Sequence, residues 1–174
     1  MRPGIRGWRT PGVVCSLAAL FLATGPAGAA PDATYTVKLL TPETALAAAQ
    51  AAMAHCRKAG HQVAVAVVDR SGLVQVLLRD RFAGPHTLDV APQKAWTAAS
   101  FRMPTGTLAS ETQPGRPMSG IRAAPHVMAI GGGLVIEAGG AALGAIGVSG
   151  APGGDADDAC AQAGIRAIAD GIEF

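Results

Sequence analysis

The sequence is poor in aromatic residues, and it lacks the common motifs for nucleotide binding and serine-dependent hydrolysis. Only 4% of its 174 residues are Phe, Trp or Tyr, whereas 23 are Gly. It contains no Walker-type lysine loop and no Gly-x-Gly-x-x-Gly motif, and Ser149 lacks the spacing of a nucleophile elbow. Small side chains let helices pack closely on a sheet but bury little area each, which favours self-association.

The chain also lacks a large excess of charge of either sign. Its 14 basic residues nearly balance its 12 acidic ones, and three of the basic ones, Arg2, Arg6 and Arg9, belong to an N-terminal segment that we expect to be removed. A nearly neutral domain lacks the basic surface that nucleic acids attract. We therefore predict no nucleic-acid partner.

The first thirty residues have the features of a secretory signal peptide. Three arginines precede an apolar run over residues 13–23, and small residues follow at 27–30. The run is shorter than the ~20 residues of a membrane-spanning helix, and Cys15 follows Val14 rather than the small residue expected before a lipid-modified cysteine. We predict a signal peptide over 1–30, a leader over 31–40 and a domain over 41–174. The protein would then be periplasmic or secreted, without a membrane anchor.

Two more cysteines, Cys56 and Cys160, lie within the predicted domain. In an oxidising compartment they could form a disulfide. Each lies where a predicted helix would bury a small apolar residue, and a free cysteine behaves as such a residue. We expect two unpaired cysteines, with a disulfide as the alternative.

The hydrophobic pattern predicts helices alternating with hairpins. Helices are expected from Thr41, as N-cap, to Gly60, after Asp89 as a second cap, briefly over 105–110, and after Asp155. Strands are expected over 63–68, 73–79, 127–130, 134–137 and 142–148. This order predicts an α/β (α+β) fold: one domain with a five-stranded, largely antiparallel sheet covered by helices.

Four histidines are the first candidates for a binding site, although they lack the tight spacing of metal ligands. We expect His55 and His61 at the surface. His86 lies in a loop from which a ligand can be reached. His126 directly precedes a predicted strand and the glycines at 131–133, so it is our preferred imidazole ligand.

Several cations are candidates for binding anionic groups. Lys94 lies on the flank of the second helix, where its side chain either extends to solvent or neutralises part of an anionic ligand. Arg79 and Arg81 are close to the predicted loop at 80–86 and suit carboxylates. The loop over 149–154 precedes a helix N-terminus and is a weaker anion site.

An ordered set of short segments carries a family resemblance over nearly the whole predicted domain. The segments are Val-Val-Asp-Arg-Ser-Gly at 67–72, Lys-Ala-Trp-Thr-Ala at 94–98, Pro-Thr at 104–105, Gly-Gly-Gly-Leu-Val-Ile at 131–136, and 144–150 leading to 157–161. Together they resemble the GlcG/HbpS family, also called the haem-degrading or domain-of-unknown-function 336 family. Val135 stands where the family often has proline, which we expect to leave the strand intact.

The resemblance implies a compact domain with a five-stranded antiparallel sheet, similar to profilin-like and PAS-like layouts, that assembles into dimers to octamers. It implies non-covalent binding of a tetrapyrrole, haem b, by an exported protein in haem sensing, storage or redox protection, with a membrane sensor as a further partner. Covalent c-type attachment is excluded because Cys-x-x-Cys-His is absent. Cobalamin is the alternative ligand, since relatives include an accessory domain of cobalamin adenosyltransferases.

Family members differ in the residue that binds the iron, so the ligand is chosen here on chemical grounds. A neutral imidazole binds haem iron well, which makes His126 the expected metal ligand and His86 a further cofactor-binding residue. Arg79, Arg81, Arg122 and Lys94 are the expected partners of the propionates. The alternative is an enzyme or accessory protein of haem degradation, corrinoid or glycolate metabolism, which rests on family association because no catalytic dyad is visible.

Overall fold

The computed structural model describes Gly4 and residues 33–174, so the predicted signal peptide, apart from Gly4, lies outside the described residues. Val37–Phe174 form one compact unit. Among the described residues, no helix combines the length and the apolar character needed to cross a membrane.

The unit contains four α-helices and four strands in the described part of the chain. In order they are α1 (Pro42–Lys58), β1 (Ala64–Asp69), β2 (Val74–Arg79), α2 (Thr87–Phe101), α3 (Thr105–Glu111), β3 (Gly133–Ala138), β4 (Ala141–Ser149) and α4 (Gly154–Ile172). A 3-10 turn, Ser119–Ala123, lies between α3 and β3.

Helix α1 begins and ends as its sequence predicts. The Thr41 hydroxyl accepts a hydrogen bond from the Thr44 backbone N–H at 3.2 Å, and Pro42 occupies the first turn, where no N–H partner is needed. After Lys58 the chain leaves the helix through Gly60, whose φ of 82° suits glycine.

The sheet has the order β2-β1-β4-β3, and every neighbouring pair is antiparallel. The described residues supply four strands, so the prediction of five is wrong. The segment predicted as a strand at 127–130 is a series of turns that follows His126, whose φ is 66°. The Val127 N–H donates to the Ala124 carbonyl and the Ile130 N–H to the Met128 carbonyl. These local bonds leave no extended edge to pair with the sheet.

The two faces of the sheet are covered differently. Helices α1 and α4 pack on one face over Val, Ile and Leu side chains, whereas α2 packs on the other through alanines. A β-carbon at Gly147 of β4 would contact the Ala91 carbonyl oxygen and lie 2.6 Å from the Ala95 nitrogen. Glycine at 147 therefore lets α2 lie directly on the sheet, which fixes the position of the α2 N-terminus.

Cys56 and Cys160 form a disulfide, with 5.5 Å between their Cα atoms, so the expectation of two unpaired cysteines is wrong. Both are buried in the α1–α4 layer. The periodicity of each helix indicated which side is buried, but it did not indicate that the two cysteines face each other across the packed pair.

Two predicted helix caps are also displaced. His86 precedes α2 and Gly153 precedes α4, whereas Asp89 and Asp155 lie in the first helical turns. A carboxylate in the first turn interacts favourably with the positive end of the helix dipole, so these residues help to start the helices without capping them.

Candidate functional site

A cleft of about 720 Å³ opens at the end of the sheet where β1 begins and β4 ends. Its size is within the usual range for small-molecule and cofactor sites. Ala64 pairs with Ser149, so the loop before β1 and the loop after β4 meet there. The lining residues are Gly60, His61, Gln62, Phe82, Gly84, His86, Val90, Lys94, Met128, Ile130, Ser149, Gly150, Ala151, Pro152, Gly153, Gly154 and Asp157.

Two of the cleft walls are backbone segments in direct contact. One is the turn at 60–62 after α1, and the other is the loop at 149–154 before α4. At Gly150, φ is 129°, and an added β-carbon would lie 2.6 Å from the Gln62 carbonyl oxygen. Glycine is required here because both the backbone conformation and the close approach exclude a side chain.

The remaining walls supply apolar side chains and a second imidazole. Phe82 and His86 come from the loop before α2, Val90 from α2 itself, and Met128 and Ile130 from the turns before β3. Phe82 is 78% exposed and Ile130 is 50% exposed. Large apolar groups at the mouth of a cleft offer contact area to an apolar ligand.

Lys94 and Asp157 form a buried ion pair against the cleft. The Lys94 ammonium donates to Asp157 Oδ2 at 2.7 Å and to the Val148 carbonyl at 3.0 Å. Asp157 Oδ1 accepts from the Ala151 N–H at 3.0 Å. The alternative in which Lys94 extends to solvent is therefore wrong, because its partner lies on α4, which helical spacing within α2 could not reveal.

The electrostatics of this pair are set by its burial. Burial raises the pKa of the Asp157 carboxyl, and the contact with Lys94 opposes that rise. Burial also raises the pKa of Asp158, which accepts the Gly132 N–H at 2.6 Å. Lys94 and Asp157 compensate each other, so the pair offers a ligand no free charge.

Of the three glycines at 131–133, Gly132 packs on this pair, and Gly133 packs on the α2 backbone and on Thr105 of α3. Gly132 has a φ of 116°, and a β-carbon there would lie 2.7 Å from Lys94 Nζ. The Gly133 N–H donates to the Thr105 hydroxyl at 2.8 Å. Close packing on α2 and α3 thus explains why this segment has glycines and no larger residues.

The predicted histidines occupy different places. His86 lines the cleft, whereas His126 is exposed and outside its lining, with its ring centroid 5.8 Å from that of Trp96. The assignment of His126 as the iron ligand stays a prediction. The described residues contain no group of three or more His, Cys, Asp or Glu side chains arranged to hold a metal ion.

The predicted arginines have different surroundings. Arg81 lines a neighbouring pocket that shares Gln62 and Phe82 with the cleft. The Arg79 guanidinium donates to the Ala83 carbonyl, and that of Arg122 donates to the carbonyls of Thr112 and Ala109 at 2.7 Å each.

The sequence prediction missed the wall formed by His61 and Gln62. His61, expected at the surface, is partly buried and lines the cleft. The Gln62 side-chain oxygen is buried and has no hydrogen-bond partner among the described residues. Antiparallel pairing of the start of β1 with the end of β4 is the signal that would have placed both residues beside the loop at 149–154.

Comparison with known proteins identifies relatives of the whole domain. HbpS from Streptomyces reticuli, solved as a double mutant, is 39% identical, with a TM-score of 0.73 over 83% of this chain and 97% of that one. A chain solved as a PduOC:heme complex is 30% identical, with a TM-score of 0.71 over 75% of this chain and 95% of that one.

This chain matches only part of a longer curated relative. The corrinoid adenosyltransferase PduO of Citrobacter freundii is 34% identical over 90 residues, which are 51% of this chain but only 27% of the enzyme. The similarity therefore concerns about a quarter of that protein. The family pattern described as "Haem degrading protein HbpS-like" matches residues 40–166. The chain belongs to this HbpS-like family.

Proposed function

We propose that this protein binds haem non-covalently in the cleft. The observation that carries the proposal is the combination, in one cleft of about 720 Å³, of two imidazoles with an apolar rim. A porphyrin needs apolar contact area, and its iron needs a donor such as imidazole. Membership of the HbpS-like family and the similarity to a chain solved with haem support the same ligand.

Phe82, Val90, Met128 and Ile130 would contact the porphyrin, and His61 and His86 are the imidazoles in the cleft. The earlier choice, His126, remains a competing proposal for the iron ligand. When bound, haem supplies an iron centre capable of ligand binding and redox change.

Arg81 is our preferred partner for a propionate. It lies beside the cleft, with its Cζ 6.0 Å from the centre of the Phe82 ring. Lys94, Arg79 and Arg122 already donate to groups of the protein itself. They would have to leave these partners to bind a propionate.

A haemin titration of the purified protein, without residues 1–30, tests the proposal. We expect a saturable Soret band at micromolar concentrations, and a linear increase without saturation would reject haem binding. His61→Ala, His86→Ala and His126→Ala form a matched series. The variant that shifts the band identifies the ligand, and three unchanged spectra would reject ligation by these three imidazoles.

We also propose that the protein acts after export, in haem sensing, storage or redox protection, with a membrane sensor as a partner. The apolar N-terminal segment supports export, and a disulfide is typical of an oxidising compartment. Cell fractionation with an antibody against the domain tests it. Full-length protein confined to the cytoplasm would contradict the proposal, and retention of the sensor on an affinity column of the domain would support the partner.

Self-association is a further proposal, supported by the edge strand β2. Leu73, Val74 and Leu77, at and beside this strand, are 68%, 51% and 40% exposed. Apolar side chains along an open sheet edge favour association with another copy. Analytical ultracentrifugation should show an oligomer that Leu77→Lys weakens, whereas a concentration-independent monomer would contradict it.

A second candidate is corrinoid binding, because 90 residues resemble part of a corrinoid adenosyltransferase. Competition between haemin and cobalamin for the cleft separates the two ligands. Haem degradation is tested by adding a reductant and oxygen with catalase present: iron release with loss of the Soret band would indicate an enzyme, and a stable band would indicate binding alone.

A further inference from the structure

We propose that the Cys56–Cys160 disulfide positions the two backbone walls of the cleft, so that ligand affinity depends on the redox state of this pair. The inference rests on the proposed function for its ligand, but its structural part can be measured without any ligand.

Each cysteine of the disulfide is close in sequence to one of the two walls. Cys56 is in the last turn of α1, and its carbonyl accepts the N–H of His61, the first imidazole of the cleft, at 2.9 Å. Cys160 is on α4, close to the N-terminal turn that contains Gly154 and Asp157. The bridge therefore joins the helix that leads into one wall to the helix that leads out of the other.

The Ala64–Ser149 pair ends the β1–β4 ladder beside the walls, and beyond that pair the walls touch only through backbone. They meet where Gly150 approaches the Gln62 carbonyl, and glycine offers no side chain to hold the contact. Asp157 anchors the second wall through the Ala151 N–H, and among the described residues no side-chain hydrogen bond or ion pair joins Gln62 to residues 149–154. A covalent link that limits the separation of the walls preorganises the cleft, which lowers the entropy lost on binding.

Reduction of the pair needs an external dithiol. The dithiol supplies two electrons and two protons, the sulfur–sulfur bond breaks to give two cysteine thiols, and the reductant closes to its own disulfide. Both cysteines are buried, so the end of α1 has to open before the dithiol reaches them. Residues 57–60, which follow Cys56, are exposed, and Arg57 is bound to Asp80, so opening of this segment has to break that ion pair.

The experiment compares the oxidised protein, the protein reduced by dithiothreitol that is removed before haemin is added, and the Cys56→Ala/Cys160→Ala variant. Amide hydrogen exchange should become faster at 60–62 and 149–154 when the bridge is absent, while β1 and β4 stay protected. The haemin dissociation constant should rise about tenfold, the scale expected when loop segments must be ordered on binding.

Ile168→Ala is the matched control. Ile168 is buried in the same α1–α4 layer but further along α4 from the cleft, so its truncation destabilises the layer while keeping the bridge. It should leave exchange at the two walls and haemin affinity unchanged. The proposal would be overturned if Ile168→Ala and reduction had equal effects. It would also be overturned if exchange at both walls stayed unchanged after reduction, or if the reduced chain unfolded globally. If oxidised protein binds no haemin while the walls still loosen on reduction, the haem proposal fails and the positioning role stands.

Discussion

Replacing Lys94 with methionine is the sharpest test of how the cleft is built. The side chains of Lys94 and Asp157 are only 3% and 5% exposed, and the ammonium satisfies both Asp157 and the Val148 carbonyl. Methionine keeps much of the volume but leaves a buried carboxylate without its partner. Breaking a buried pair in this way costs about 3–5 kcal/mol, a large fraction of the ~5–15 kcal/mol by which a domain of this size is stable.

The pH dependence distinguishes this cause from a simple packing defect. The pKa of Asp157 is already raised by burial, and removing Lys94 removes the contact that opposes the rise. A carboxyl with a raised folded pKa favours folding below its unfolded pKa of ~3.9, and that contribution disappears as the pH rises through the folded value. The loss in Lys94→Met should therefore be smaller at about pH 5, where more Asp157 is protonated, than at about pH 7.

Urea unfolding under non-reducing conditions at the two pH values measures the effect. Lys94→Met/Asp157→Asn is the companion variant, since a neutral amide replaces the unpaired charge. We expect it to recover part of the stability at neutral pH and to show little change between the two conditions. A loss below about 1 kcal/mol, or an equal loss at both pH values, would refute the argument.

Two further predictions concern packing and an ion pair between the exposed Arg57 at the end of α1 and the buried Asp80 after β2. Gly147→Ala should destabilise the domain by roughly 1–3 kcal/mol or more, because the added β-carbon meets the α2 backbone. Gly171→Ala in α4 is the control: its β-carbon has nothing within 4 Å, so the melting temperature should rise slightly. Calorimetry of both variants checks this, and equal shifts in melting temperature would contradict it. Asp80→Asn should lower stability at neutral pH, because hydrogen bonds from Arg57 lower the Asp80 pKa. That contribution to stability is present above the unfolded pKa of ~3.9 and is lost as the pH falls through the lowered folded value. The free energies of unfolding of the variant and the parent should therefore converge in acid. A difference in stability that stays constant down to pH ~2 would argue against this pair.

Local sequence signals predicted the elements whose cause is local. The Thr41 cap and the apolar run of β1 lie within one element each, and the structure agrees with them. The strand predicted at 127–130 is absent because an apolar run alone does not specify a strand. The left-handed conformation of His126 turns the chain away from the sheet.

The candidate site depended on contacts between distant segments, and that is where prediction was weakest. The partners Lys94 and Asp157 are on different helices, as are Cys56 and Cys160. His61 belongs to the cleft only because β1 pairs with β4. None of these contacts produces a periodic pattern within one helix or strand. The sequence could therefore identify the residues involved but not which of them lie side by side.

The disulfide also has a consequence for the order of folding. The hairpins β1–β2 and β3–β4 are made of residues close in sequence, whereas the central β1–β4 ladder and the Cys56–Cys160 bridge, with a separation of 104 residues, join the two halves of the chain. Contacts of long sequence separation form slowly because the intervening chain must be ordered first. Until the final helix packs on α1, Cys56 therefore remains a thiol, and for that period it can exchange with any disulfide that the unfolded chain meets.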